Sequence, residues 1–163
     1  MDSTNSTNST NSTNSTDITA SQRPIDALLA RYAEHHRHPM NELIHCVCVP
    51  AIVFSLLGLC WMISPAVSLL VVAAALAYYL RLSPPFAVGM LAMSALMLVL
   101  LARLPLGAVL PVSAVVFVLA WIGQFIGHRI EGKKPSFFED LRFLLVGPLF
   151  VLAFLYRRWH ITY

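Results

Sequence analysis

Charged side chains are scarce in this sequence. They make up 12% of its 163 residues, whereas hydrophobic residues make up 58%. An average soluble domain has about 25% charged and about 45–50% apolar residues. Because the apolar residues also stand in long runs, the composition favours a membrane protein over a soluble core. The formal net charge of +3 is small for a nucleic-acid-binding protein, and membrane topology explains the basic residues better. We therefore expect membrane lipids, and no nucleic acid, as partners.

Cysteines are few and odd in number: Cys46, Cys48 and Cys60. All three stand in apolar surroundings, and the first two form a C-x-C at the start of an apolar run. A C-x-C can belong either to a metal site or to a buried surface. Buried free thiols are the favoured interpretation, since cysteine in apolar surroundings behaves as a small hydrophobe.

The first 24 residues lack the apolar central region of a cleavable signal peptide. Residues 3–16 instead repeat Ser-Thr-Asn without one apolar residue. We predict that residues 1–22 form a disordered tail, because they bury nothing that offsets the entropy of ordering. Four asparagines there fit the N-x-S/T pattern, but glycosylation requires a tail that faces an oxidising lumen.

Residues 24–36 predict a short amphipathic helix. Ile25, Leu28, Leu29 and Tyr32 recur at helical spacing, and His36 falls on the same apolar stripe. We expect this helix to lie in the membrane interface.

Five apolar runs follow, and they predict an all-α protein. The expected fold is a polytopic membrane helical bundle with four to five transmembrane or re-entrant helices, in one domain over residues 23–163. The runs are 43–63, 65–80, 86–102, 106–127 and 143–156. A bilayer core of about 30 Å takes about 20 helical residues, so the first and fourth runs fit a full crossing. The second and third are short, which indicates a tilted pair or a hairpin that does not fully cross. The last run contains Pro148 and fits a fifth short span, a re-entrant segment or an interfacial helix.

The basic residues predict the orientation. Four crossings between His45 and His128 return the chain to the side on which it entered. Eight basic residues then lie on that side, against one or three on the other: Arg23, Arg31, Arg37, Arg81, Arg129, Lys133, Lys134 and Arg142. The positive-inside rule places the histidines and the N-terminus in the cytoplasm. The membrane is then the inner membrane of a bacterium or the endoplasmic reticulum of a eukaryote.

Histidines are concentrated where the membrane region begins and ends. His36 and His45 precede the first span and His128 follows the fourth, so an even number of crossings brings all three to one membrane face. Helices that pack 8–10 Å apart bring such side chains within reach of one ion, and imidazole is a common ligand of iron and zinc. For His35 and His160 a solvated or capping role is favoured. His38 stands at the N-cap position of a helix that should begin at Pro39.

Polar residues at helical spacing accompany these histidines. Asn41 precedes His45 by four residues, whereas Gln124 precedes His128 by four and Glu131 follows it by three. Each should share a helix face with its histidine and support it. A substrate carboxylate could bind basic residues nearby, although membrane-surface charge is their favoured role: Arg129, Lys133 and Lys134.

The segments "HHRHPMNELIHCVCVP" and "WIGQFIGHRIEGKKPSFFEDL", with the later "GPLFV", resemble the DUF962, or Mpo1-like, family of small membrane proteins. The resemblance covers residues 24–158. It implies an oxidoreductase, an Fe(II)-dependent dioxygenase of fatty acid α-oxidation that uses O2 and no 2-oxoglutarate. The substrate implied is a 2-hydroxy fatty acid, which is shortened by one carbon. The resemblance further implies that His36, His45 and His128 are the iron ligands and catalytic residues.

Other functions remain open at this point. Di-iron membrane hydroxylases carry H-x-x-x-H and H-x-x-H-H boxes, and this sequence, with six histidines, has neither. A histidine-ligated haem membrane protein and a non-enzymatic membrane scaffold are the remaining alternatives. A scaffold would tolerate replacement of every histidine by alanine.

Overall fold

The computed structural model describes residues 23–33, 38–132 and 145–163. Within these ranges the chain forms helices and no strands, so the predicted all-α class is confirmed. The helices are α1 (Pro24–Ala33), α2 (Pro39–Ile63), α3 (Pro65–Leu82), α4 (Pro84–Arg103), α5 (Leu106–Glu131) and α6 (Val146–Arg158). The predicted disordered tail, residues 1–22, lies outside the described residues.

Helices α2 to α5 are each long and apolar enough to cross a membrane. Even α3, with 18 residues, spans about 27 Å at 1.5 Å per residue. The apolar runs 65–80 and 86–102 therefore belong to helices of full spanning length, and the alternative of a partial hairpin is not needed. Many large apolar side chains of these helices are exposed, such as Leu70, Val88 and Leu119. Such surfaces suit contact with lipid, and the protein is an integral membrane protein.

Prolines and capping residues determine where the helices begin. Four helices start on a proline, whose fixed backbone angle suits the first helical position: Pro24, Pro39, Pro65 and Pro84. His38 caps α2, since its Nδ1 accepts a hydrogen bond from the backbone N–H of Met40 at 3.2 Å. The predicted start of α2 and the capping role of His38 are thus confirmed. At its far end, α5 stops at Gly132, which adopts a left-handed φ of 75°.

Helices α2 and α5 pack closely because glycines lie between them. A Cβ on Gly127 would overlap Oδ1 of Asn41, and a Cβ on Gly123 would overlap Sγ of Cys48. Small residues four apart let two helix backbones approach in a membrane, where packing replaces the hydrophobic effect as the driving force. The start of α2 therefore lies against the end of α5. The three cysteines are free thiols, as expected, but they are half-buried and not fully buried.

Helix α6 is buried against the other helices. The sequence alone did not decide between a short span, a re-entrant segment and an interfacial helix. Its 13 residues extend about 20 Å, which is too short to cross a bilayer core of about 30 Å. Its residues from Val146 to Ala153 are all buried. Two tyrosines fix its ends: Tyr79 of α3 donates its hydroxyl to the carbonyl of Leu145 at 2.8 Å, and Tyr156 donates to the carbonyl of Pro85 at 2.7 Å.

Helix α1 covers α6 at the end of the bundle where the histidines lie. Its buried residues Ile25, Leu29 and Tyr32 join one apolar core with α6 and with Phe86 of α4. The expected amphipathic stripe is present, and its buried residues pack against other helices of the protein. The physical reason is that α6 offers an apolar partner that the local pattern of residues 24–36 does not reveal.

Candidate functional site

Two histidines meet at the contact between α2 and α5. The ring centroids of His45 and His128 lie 5.2 Å apart, and the rings are nearly perpendicular at 87°. Both side chains are buried, with 1% and 6% of their surface exposed. The sequence-based expectation that the chain returns to its starting end is therefore met for this pair. His36 and His35 lie outside the described residues.

The backbone of α2 orients His45. Nδ1 of His45 lies 2.9 Å from the carbonyl oxygen of Asn41, one turn earlier. A carbonyl only accepts hydrogen bonds, so Nδ1 carries the proton that it donates, and the lone pair of the neutral ring is on Nε2. Metal-binding histidines commonly donate one ring N–H to a carbonyl in this way. His45 is thus arranged to act through Nε2.

An aromatic wall closes one side of the site. The ring of Tyr32 from α1 stands edge-on to His45, with centroids 6.5 Å apart, and the ring of Phe150 from α6 lies 5.0 Å from Tyr32. These side chains are buried, so they keep water from this side of the imidazoles. Helices α1 and α6, which do not span the membrane, therefore contribute to the site.

Glu131 joins the end of α5 to the start of α2. Its Oε2 accepts a hydrogen bond from the backbone N–H of His38 at 2.9 Å and another from Nδ2 of Asn41 at 3.1 Å. The carboxylate also lies near the positive end of the α2 dipole. Asn41 and Glu131 thus form a clamp between α2 and α5, beside the histidine pair.

Gln124 is buried on α5, one turn before His128, with 4% of its surface exposed. Its Oε1 accepts no hydrogen bond from the described part of the chain, and the same holds for Oδ1 of Asn41. Buried amide oxygens normally have a donor. These two acceptors are therefore suited to a ligand or water that donates.

Basic groups near the site are only partly described. Arg129 is exposed at the end of α5, whereas Lys133 and Lys134 lie outside the described residues. Arg157 of α6, which the sequence did not mark as part of the site, forms an ion pair with Glu42 of α2 at 3.8 Å. Two basic residues that end a buried helix were the available signal. The G-x-x-x-G motif in "WIGQFIGH", formed by Gly123 and Gly127, was a further signal in the sequence.

The histidine pair fits part of a metal site. Imidazole nitrogens bind metals such as zinc at about 2.0–2.1 Å, and rings 5.2 Å apart have a separation that adjacent ligands of one ion allow. The same edge contact leaves no room for a porphyrin plane between the rings, so this pair does not fit a haem held from both sides. Within residues 23–33, 38–132 and 145–163, no group of three or more His, Cys, Asp or Glu side chains could hold a metal ion. A metal ion held by this pair would need its third ligand from outside the described residues.

Comparisons with known proteins agree with the motifs. The chain is 32% identical over 140 residues to the 2-hydroxy-palmitic acid dioxygenase MPO1 of Saccharomyces cerevisiae, an alignment that covers 79% of this chain and 78% of the yeast protein. No solved structure gives a significant match. A family model described as 2-hydroxy-palmitic acid dioxygenase Mpo1-like matches residues 22–159. The chain belongs to this Mpo1-like family, as its histidine motifs indicated.

Proposed function

We propose that this protein is an Fe(II)-dependent dioxygenase that shortens 2-hydroxy fatty acids by one carbon, with O2 as co-substrate. The proposed iron ligands are His36, His45 and His128. The observation that supports this most strongly is the buried, perpendicular pair of His45 and His128. It occurs in a chain of the Mpo1-like family, whose yeast relative is named for a 2-hydroxy acid substrate.

The residues of this chain prepare the ligands before any metal binds. Asn41 holds the ring of His45 through its carbonyl, and the contact of α2 with Gly127 sets the distance to α5. Glu131 binds the backbone of His38, which follows His36 by two residues in the sequence. The clamp therefore fixes the backbone at His38, two residues after the third proposed ligand in the sequence. Bound Fe(II) would supply the redox chemistry that lets O2 react with the substrate.

An apolar cavity offers a place for part of the acyl chain. It has a volume of about 110 Å³ and lies between α2, α3, α4 and the start of α6. Its lining includes Val53, Leu57, Val72, Met90 and Pro148. Val53 lies eight residues after His45 on α2, about 12 Å further from the histidine end. A substrate with its carboxylate at the histidine end would direct its apolar chain toward this cavity.

The proposed orientation places the histidine end in the cytoplasm, in accordance with the excess of basic residues on that side. The substrate carboxylate would then lie at the charged membrane surface, near the exposed Arg129. Long-chain 2-hydroxy acids partition into bilayers, so the substrate could reach the site from the lipid.

Metal analysis combined with oxygen uptake tests this function. Detergent-purified protein should hold about one iron per chain, or bind Fe(II) that is added anaerobically. With 2-hydroxypalmitate it should consume O2 and release the acid that is one carbon shorter, whereas chelation should stop both. Undiminished turnover by protein that has been exhaustively chelated and shown to be metal-free would refute the proposal.

A further inference from the structure

We propose that Gln124 recognises the 2-hydroxyl group of the substrate and so determines the preference for 2-hydroxy acids over unsubstituted fatty acids. This inference rests on the proposed function and assigns a specificity role to one residue of the same site. Gln124 comes from α5 and is almost completely buried, with 4% of its surface exposed.

The amide oxygen of Gln124 is available to a ligand. Oε1 of Gln124 is buried and accepts no hydrogen bond from the part of the chain that the structure describes. Leaving such an acceptor without a donor is unfavourable, because the oxygen has lost its water and gained nothing. A ligand group that donates a hydrogen bond to this oxygen would therefore bind with a favourable free energy.

Gln124 also lies at the depth where the second carbon of the substrate would be. Helix α5 runs toward the histidine end, so Gln124, four residues before His128, lies about 6 Å deeper in the bundle. Helix α2 runs in the opposite direction, so Asn41, whose Oδ1 is also without a described donor, lies on the outer side of His45. The two amides thus flank the histidine pair, and Gln124 occupies the side on which the acyl chain would continue.

The hydroxyl group of the substrate matches the chemistry of this amide oxygen. An amide oxygen only accepts hydrogen bonds. The carboxylate and the methylene groups of a fatty acid donate none, whereas the hydroxyl on C2 donates one. With the carboxylate at the outer side, C2 is the first carbon on the inner side, where Gln124 lies. A site that hydrogen-bonds a substrate hydroxyl discriminates strongly against an analogue that lacks it.

The test compares binding of two ligands to the detergent-purified full-length protein. One is 2-hydroxypalmitate and the other is 2-fluoropalmitate, which is similar in size but cannot donate a hydrogen bond. The wild-type protein should bind 2-hydroxypalmitate at least about ten-fold more tightly than 2-fluoropalmitate. Q124M keeps the length of the side chain without its acceptor, and its preference should fall to about two-fold or less.

Ser113→Ala is the matched control. Ser113 is also on α5, and its Oγ is also buried without a hydrogen-bond partner among the described residues. It lies 11 residues before Gln124, about 16 Å away along the helix, so S113A should keep the wild-type preference. Because a bound metal would also favour the hydroxyl, each measurement is repeated after chelation, where the preference of the wild-type protein should persist.

The outcomes separate the two proposals. A wild-type protein that neither binds nor converts 2-hydroxypalmitate would overturn the proposed function and this inference together. Normal turnover of 2-hydroxypalmitate, combined with an unchanged preference in Q124M, would overturn the role of Gln124 alone. If Q124M does not insert, the chelated wild-type protein decides: equal binding of the two ligands refutes the role of Gln124, and a retained preference supports it.

Discussion

At the scale of single residues, the site depends on buried polar groups that the helix backbones hold in place. His45, His128 and Asn41 are almost completely buried in helices whose other faces are apolar. Polar groups at such depth are costly and usually functional or paired. Asn41 is paired on two sides: its backbone carbonyl accepts a hydrogen bond from His45, and its Nδ2 donates one to Glu131.

Replacing His45 or His128 by alanine should lower turnover of 2-hydroxypalmitate by at least about 100-fold and reduce iron content, because loss of a ligand is at least as severe as loss of its supporting group. The variants should still insert, which membrane fractionation checks. His160→Ala is the control, since His160 is exposed at the end of the chain and should behave as wild type. Normal turnover by H128A would show that the proposed site is wrong.

Glu131→Ala should reduce both thermal stability and iron affinity. It removes an acceptor of two hydrogen bonds that join α5 to α2, and hydrogen bonds to charged groups contribute about 1.5–3 kcal/mol. The unfolding temperature in detergent and a titration with Fe(II) measure the two effects. Glu42→Ala is the control, because its partly exposed ion pair with Arg157 should contribute no more than about 1 kcal/mol. Equal effects of the two substitutions would contradict the clamp.

At the scale of helices, the contact between α2 and α5 brings the two histidines together. This contact depends on the absence of side chains at Gly123 and Gly127, where a Cβ would overlap atoms of α2. In lipid, such an interface is stabilised by close packing and by hydrogen bonds rather than by exclusion of water. An increase in the separation of the helices would therefore move His128 away from His45 directly.

Gly127→Leu should abolish turnover and lower the unfolding temperature, since the added side chain must displace Asn41 and separate the helices. Gly107→Leu provides the control on the same helix: a Cβ at Gly107 meets nothing within 4 Å, so this variant should keep activity and stability. Turnover in G127L equal to that in G107L would mean that the close contact does not position the site.

The sequence predicts much of the fold at this scale, for a physical reason. Full-length apolar helices and their prolines are local features, so the ends of α2 and α5 could be predicted within a few residues. The even number of crossings then predicts that His45 and His128 lie at the same end of the bundle. The burial of α1 on α6 is not local, because each of these helices is short and shows only its own apolar pattern. The ion pair of Arg157 with Glu42 depends on that same packing and could not be derived without it.

At the scale of the whole molecule, the four spanning helices and the excess of basic residues predict a cytoplasmic histidine end. In a background without Cys46, Cys48 and Cys60, single cysteines are introduced by Lys133→Cys and Gly107→Cys. A membrane-impermeant thiol reagent should label G107C in intact cells and K133C only in inverted vesicles. Labelling of both from the same side would contradict the topology, and the reverse pattern would invert the orientation.

Helix lengths show where the histidine pair stands relative to the bilayer. α2 and α5 have 25 and 26 residues, against 18 and 20 for α3 and α4. Only Ser64 separates α2 from α3, so the extra length of α2 extends beyond the turn that joins α3 to α4. The part of α2 that follows His45 is about as long as α3, which places His45 near the level of the lipid headgroups.

A site at that depth has a kinetic consequence. An amphiphile could react there without being extracted from the leaflet, so the relevant concentration is its mole fraction in the two-dimensional lipid phase and not its amount per volume of water. Adding inert lipid to proteoliposomes at constant bulk substrate should therefore slow turnover in proportion to the dilution of the surface. A water-soluble short-chain 2-hydroxy acid should escape this effect.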